Sequence, residues 1–199
     1  MKTPRAAIRC RTSQLLLVAT CLLVLPGMAT AQGSVETDRA ALVALYDATG
    51  GDNWRSKTNW KSDKPLNEWY GIETDSTGRV ESIDFHTNNA LTGSIPPEIG
   101  DIVHVKKISL EGNELTGSIP SEIENLIHLE ILNLRFNELT GPIPPGIVNL
   151  VNLKEIDFAV NDLSGDIPSN IGNLINLTRV SFFANDLTGS IPSGRELYI

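Results

Sequence analysis

From Val105 onward, apolar residues recur in short alternating bursts. Ile108 and Leu110, Leu132 and Leu134, Ile156 and Phe158, and Val180 and Phe182 each stand two apart. A period of two marks a strand with one buried face. Each burst predicts a strand of only a few residues, and the bursts repeat every 24 residues. Downstream of each comes an asparagine (Asn89, Asn113, Asn137, Asn161, Asn185), then a leucine two residues on (Leu91, Leu115, Leu139, Leu163, Leu187). Thr or Ser and a glycine follow, from Gly93 to Gly189, and Ile-Pro pairs close each block, from Ile95-Pro96 to Ile191-Pro192. Repetition at this period predicts a solenoid, in which each unit has an apolar face that only stacking can bury.

The residue types assign the positions. Leu129, Leu132, Leu134, Leu139, Ile143, Ile147 and Leu150 of one unit point inward. The asparagine is expected inside, its amide bonding backbone groups where the strand ladder ends, since a buried polar group left without a partner costs about 1–3 kcal/mol. Proline lacks a ladder donor and suits the turn that follows. The first unit has one residue more between Phe85 and Asn89 than the second has between Leu110 and Asn113, which predicts a bulge at His86–Asn88.

Residues 32–79 lack the repeat and read as an N-terminal cap. Thr37 is placed as the N-cap of a helix running through Asp47, with Leu42, Leu45 and Tyr46 on one face and Gly50-Gly51 ending it. Trp54, Trp60 and Trp69 supply apolar surface to cover the first repeat. Residues 1–31 read as a signal peptide, with a basic start, an apolar run from Leu15 to Leu25 and small residues at Ala29-Thr30-Ala31. That run is shorter than the roughly 20 residues a membrane helix needs. Val18-Ala19-Thr20-Cys21 offers a lipoprotein anchor as the rival.

Cleavage changes the charge. Four of the 16 basic residues leave, so the 24 acidic residues face twelve basic ones, a formal charge of −12 against −8 for the whole chain. That balance argues against nucleic acid or an anionic membrane as a general partner. Both cysteines, Cys10 and Cys21, leave as well, so stability is expected from packing and hydrogen bonds alone. At the other end, Ser193 to Ile199 form no polar capping repeat, and Arg195 falls where Ile123 stands in the second unit. Either Leu197 and Tyr198 fold over the last coil or the sequence is a piece of a longer protein.

The run Leu129-x-x-Leu132-x-Leu134-x-x-Asn137-x-Leu139-Thr140-Gly141-x-Ile143-Pro144 resembles the plant-specific class of leucine-rich repeats, which includes polygalacturonase-inhibiting proteins and receptor-like-kinase ectodomains. The resemblance covers about residues 80–199 and implies an α/β repeat solenoid: a right-handed superhelix of five repeats, the last incomplete, with a parallel concave sheet and an N-terminal helical cap. Asp38-Arg39-Ala40-Ala41-Leu42 and Trp69-Tyr70-Gly71-Ile72 resemble the domain that precedes such repeats. Caps of that kind usually carry two cysteines. Asn67 and Thr74 stand about where they are expected, so the resemblance implies a cap without its disulfide.

Register in such a repeat turns the residues between the buried leucines toward the concave face. Ile131, Phe136, Val160 and Phe183 are then apolar where solvent is expected, rimmed by Arg135, Asp157 and Arg179. A cluster of that kind fits a protein-binding patch; the alternative is that Phe136 and Phe183 fold onto the strand edge. Glu114, Glu138, Asp162 and Asp186 form an acidic column read as solvated, and His86, His104 and His128 have no metal-ligand spacing. The one glycosylation sequon is Asn176-Leu177-Thr178. No nucleophile elbow, phosphate loop or paired-acid motif is present, so neither catalysis nor a cofactor is expected. The expected function is an extracellular module, secreted or associated with the cell surface, binding a protein or peptide on its concave face. Polysaccharide binding is the alternative. Ice binding stands behind it, because the concave columns lack a regular threonine row.

Overall fold

The computed structural model describes residues 33–85 and 88–188. The expected signal peptide with Cys21, His86 and Thr87 of the expected bulge, and the segment from Gly189 to Ile199 lie outside the described residues.

The chain enters through helix α1 (Val35–Ala48), which starts earlier than expected. Its N-cap is Ser34 and not Thr37. The Thr37 amide donates to the Ser34 hydroxyl (3.2 Å), while the Ser34 amide donates to the Thr37 hydroxyl (2.6 Å). This reciprocal box satisfies two of the helix's orphan amides. Both residues carry a hydroxyl, and the apolar pattern alone does not say which comes first. Gly50, in the left-handed region at φ 69°, turns the chain out of the helix.

Asp38 lies on the helix face that also buries Ala41, Leu42, Leu45 and Tyr46, and it is fully buried. Its carboxylate accepts from Nε and Nη2 of Arg79, both at 2.8 Å, and from the Val80 amide at 2.9 Å. The guanidinium donates a further bond to the Gly33 carbonyl. This fork ties the helix to the first long strand. Beside it the aromatic residues pack on one another: Trp54 meets Tyr46 at 5.0 Å, Trp60 at 4.8 Å and Phe85 at 5.0 Å between ring centres. Trp60 meets Trp69 at 5.0 Å. The three tryptophans thus cover the first repeat as expected, by way of Phe85.

Strand β1 (Ile72–Thr74) pairs antiparallel with β2 (Val80–Asp84), a hairpin that the periodicity did not reveal. Asp75 builds its turn, accepting from the amides of Thr77 (2.7 Å) and Arg79 (3.1 Å) and from the Thr77 hydroxyl (2.6 Å). That hydroxyl bond above all holds the Asp75 carboxyl below its ordinary pKa.

Each coil then adds two short strands. A lateral β3 (Thr92–Ser94) is followed by β4 (Lys107–Ser109), β5 (Glu114–Thr116) by β6 (Ile131–Asn133), and β7 (Thr140–Gly141) by β8 (Glu155–Asp157). The described residues end with β9 (Asp162–Asp166), β10 (Arg179–Ser181) and β11 (Asp186–Thr188). The main sheet runs β1-β2-β4-β6-β8-β10 and is parallel from β2 onward. On the lateral side β3 pairs with β5, and β7, β9 and β11 form a second ladder. Short 3₁₀ turns such as Pro97–Asp101, Ser121–Asn125 and Pro145–Asn149 close the opposite side.

The core is a set of rows, one residue per coil. Ile83, Ile108, Leu132, Ile156 and Val180 sit in register across the sheet and are buried. Asn113, Asn137 and Asn161 are buried as predicted. Asn137 accepts from the Leu115 amide (3.1 Å) and donates to the carbonyls of Leu110 and Leu134 (both 3.0 Å), joining two coils. Asn89 differs: it accepts from the Ser56 amide (2.7 Å) and donates to the Ser56 carbonyl (3.0 Å), so the first asparagine holds the cap. Gly93 allows a close approach at the same end, since a Cβ there would lie 2.4 Å from the Ala48 carbonyl oxygen.

Candidate binding face

Four columns of side chains cross the concave face, built by the strand register. The first is Ser82, Lys107, Ile131, Glu155 and Arg179; the second is Asp84, Ser109, Asn133, Asp157 and Ser181. Past the buried row of Leu110, Leu134, Phe158 and Phe182, the chain offers Glu111, Arg135, Ala159 and Phe183. A last column follows with Gly112, Phe136, Val160 and Ala184.

The last column turns through the left-handed region. Gly112 has φ 70°, and Phe136, Val160 and Ala184 follow at 55°, 59° and 54°. Glycine occupies that region freely, but an L side chain costs about 1–2 kcal/mol there, and a β-branched one such as valine is a genuine outlier. The conformation is imposed by the neighbouring coil, since the Phe136 amide donates to the Ala159 carbonyl (3.0 Å) and the Val160 amide to the Phe183 carbonyl (2.8 Å).

The expected patch is only partly assembled. Phe136 and Phe183 are 44% and 63% exposed, so neither ring is folded into the core. Ile131 and Val160 are half-buried. The Arg135 guanidinium lies over the Phe136 ring, 4.3 Å from its centre. Asp157 is not a rim residue: it is 1% exposed, and its carboxylate accepts from the Ala159 amide (3.1 Å) and from Arg179 (3.1 Å). Arg179 also donates to Glu155 at 2.9 Å. Arg179, expected at the rim, is therefore already paired with two carboxylates of its own sheet.

A concavity on this face lies nearer the cap than the expected patch. A trough of about 660 Å³ runs over β2, β4, β6 and β8, lined by Asp84, Lys107, Glu111, Ile131, Asn133 and Phe136 with four further residues. Ile131 and Phe136 belong to it, whereas Arg135, Asp157, Val160, Arg179 and Phe183 do not. Asp84 and Asn88 also line it and were not foreseen. Asp84 shares a column with Ser109 and Asn133.

Other candidates resolve simply. Glu114, Glu138, Asp162 and Asp186 are all exposed, and among the described residues no group of three or more His, Cys, Asp or Glu is placed to hold a metal ion. His104 and His128 are exposed and meet edge to face at 5.8 Å. Among the described residues, no helix is long and apolar enough to cross a membrane.

Comparison with known proteins fits this geometry. The Leucine Rich Repeat family model matches residues 104–126, 128–150 and 152–174. A chain in the BIR3–SERK2 complex from Arabidopsis thaliana is 32% identical with a TM-score of 0.66, covering 77% of this chain and 84% of that one. The leucine-rich-repeat ectodomain of the receptor kinase SOBIR1, also from Arabidopsis thaliana, is 28% identical with a TM-score of 0.65, over 79% and 84% of the two chains. A plant ice-binding protein is 30% identical with a TM-score of 0.57, over 79% of this chain and 58% of that one. No curated protein matches the sequence. The match is to leucine-rich-repeat chains, a receptor-kinase ectodomain among them. With the coil stacking, the buried asparagine ladder and the 32% identity over most of both chains, it leads to one conclusion: the chain belongs to the leucine-rich-repeat family.

Proposed function

We propose that this is a secreted or cell-surface recognition module, with a signal peptide at 1–31, a cap at 32–79 and repeats at 80–199, that binds a protein or peptide on its concave face. The observation that carries the reading is the pair of rings, Phe136 and Phe183, left exposed on a face whose strands hold them apart from the core. Exposed aromatic anchors supply much of the energy of protein interfaces. The left-handed strain at Phe136 and Val160 persists where Gly112 shows that a coil closes without it, so the side chains are retained at a cost in stability. One similar structure is itself a complex and another is a receptor-kinase ectodomain.

The test is capture of an extracellular partner by the purified protein, followed by the double variant Phe136→Ala, Phe183→Ala. Binding is expected to weaken by about 2 kcal/mol or more, roughly thirtyfold, while the melting temperature holds because both rings are exposed. Undiminished binding refutes the concave reading, and a glycan array run alongside tests polysaccharide.

One observation favours ice binding as a second reading. The lateral strands carry one exposed hydroxyl per repeat, Thr116, Thr140, Ser164 and Thr188, although the ladder register sets Thr140 against Asp162 and Thr188 against Asp166. A plant ice-binding protein is among the similar structures. This reading predicts that the protein slows ice recrystallisation and that Thr140→Tyr abolishes the effect; ice that coarsens as in buffer removes it.

A further inference from the structure

We infer that the trough selects a partner segment presenting a lysine or arginine side chain next to an apolar one, an inference that rests on the protein- or peptide-binding reading. Three carboxylates, Asp84, Glu111 and Glu155, line the trough against one ammonium, Lys107. Asp84 and Lys107 form an ion pair, and Glu155 is held by Arg179 from outside the lining. Glu111 is different. It accepts one hydrogen bond, from the Asn133 side-chain amide at 2.8 Å, and forms no ion pair among the described residues. A carboxylate has about four acceptor sites, so most of its capacity is open.

Arg135 occupies the same column on the next coil, but its guanidinium lies over the Phe136 ring and not in an ion pair with Glu111. Glu111 is thus a carboxylate without an ion pair among the described residues, beside an apolar floor of Ile131 and Phe136. Lysine and arginine match that combination, because their aliphatic stems cover apolar surface while the charged head stays at a polar rim. The volume, about 660 Å³, lies within the range of sites that enclose a ligand group. An acidic segment meets net negative charge there, and a neutral one leaves Glu111 unpaired. A bare divalent cation has no three-group site among the described residues. The chain's net charge of −8 also favours approach of a basic partner.

The experiment selects a random 12-residue phage-displayed peptide library on the purified protein, then measures the enriched peptides against variants. Enriched sequences are expected to carry Lys or Arg beside an apolar residue, and Glu111→Gln is expected to weaken them about tenfold, the scale of one charge-assisted hydrogen bond. Glu114→Gln on the lateral ladder leaves them unchanged, and equal melting temperatures confirm that both variants fold. Peptides without basic bias, weakened by Phe136→Ala but not by Glu111→Gln, overturn the inference and leave concave-face binding standing. Peptides indifferent to both substitutions, or no enrichment at all, overturn both.

Discussion

Replacing Asp38 with alanine is expected to lower the unfolding free energy by about 3–5 kcal/mol, enough to threaten folding in a domain of this size. The carboxylate is fully buried and receives two bonds from Arg79 and one from the Val80 amide. Without it a guanidinium 7% exposed loses the carboxylate that pairs it, and the β2 amide loses its acceptor. The helix then keeps only the Arg79 bond to the Gly33 carbonyl as a polar tie through this guanidinium. Chemical denaturation measures the effect. The control is Lys106→Ala, which removes an exposed, solvent-screened pair with Glu81 and is expected to change stability little. Equal losses in the two variants refute the assignment of Asp38 as the tie between cap and repeats.

The second large effect is expected at Asn137→Ala, about 1–3 kcal/mol. The substitution leaves the buried Leu115 amide without an acceptor. The carbonyls of Leu110 and Leu134 lose one donor each but keep those of Asn113 and Asn161. Because the bonds join two coils, the loss falls on their stacking. Hydrogen exchange at the Leu115 amide is expected to accelerate along with the drop in denaturation midpoint. Asn125→Ala, at an exposed position, serves as the comparison and is expected to change little. A protected Leu115 amide in the Asn137 variant shows that water replaces the side chain.

The repeats were legible because the same constraint is written several times over. One coil's Asn137 is ambiguous, but Asn113, Asn137 and Asn161 at equal spacing leave little room for another fold. The cap occurs once, so its reading depended on local signals. Those found the helix and the tryptophans, but not the Ser34 cap, the β1–β2 hairpin or the Asp38–Arg79 fork. A buried ion pair between residues 41 apart has no local pattern to announce it. At the binding face, register placed Phe136 and Phe183 correctly on the exposed side. It did not foresee that Asp157 is buried, that Arg179 is already paired, or that the trough centres nearer the cap. Those outcomes depend on side-chain choices between coils, to which a one-dimensional period is blind.

The asparagine ladder also makes the coils interchangeable. Asn113, Asn137 and Asn161 each accept from the leucine amide 22 residues earlier and reach back to a carbonyl 27 or 28 residues earlier, so every coil meets its predecessor through the same joint. Nothing in that joint reads the residues on the concave columns. A whole turn can therefore be gained or lost without redesign of the joint, and the sequence facing outward can drift while the scaffold stays constant. Asn89 marks where this freedom stops, because it bonds Ser56 and nothing repeats behind it. Growth of such a molecule is confined to the side away from the cap, and its concave surface widens by one strand at a time.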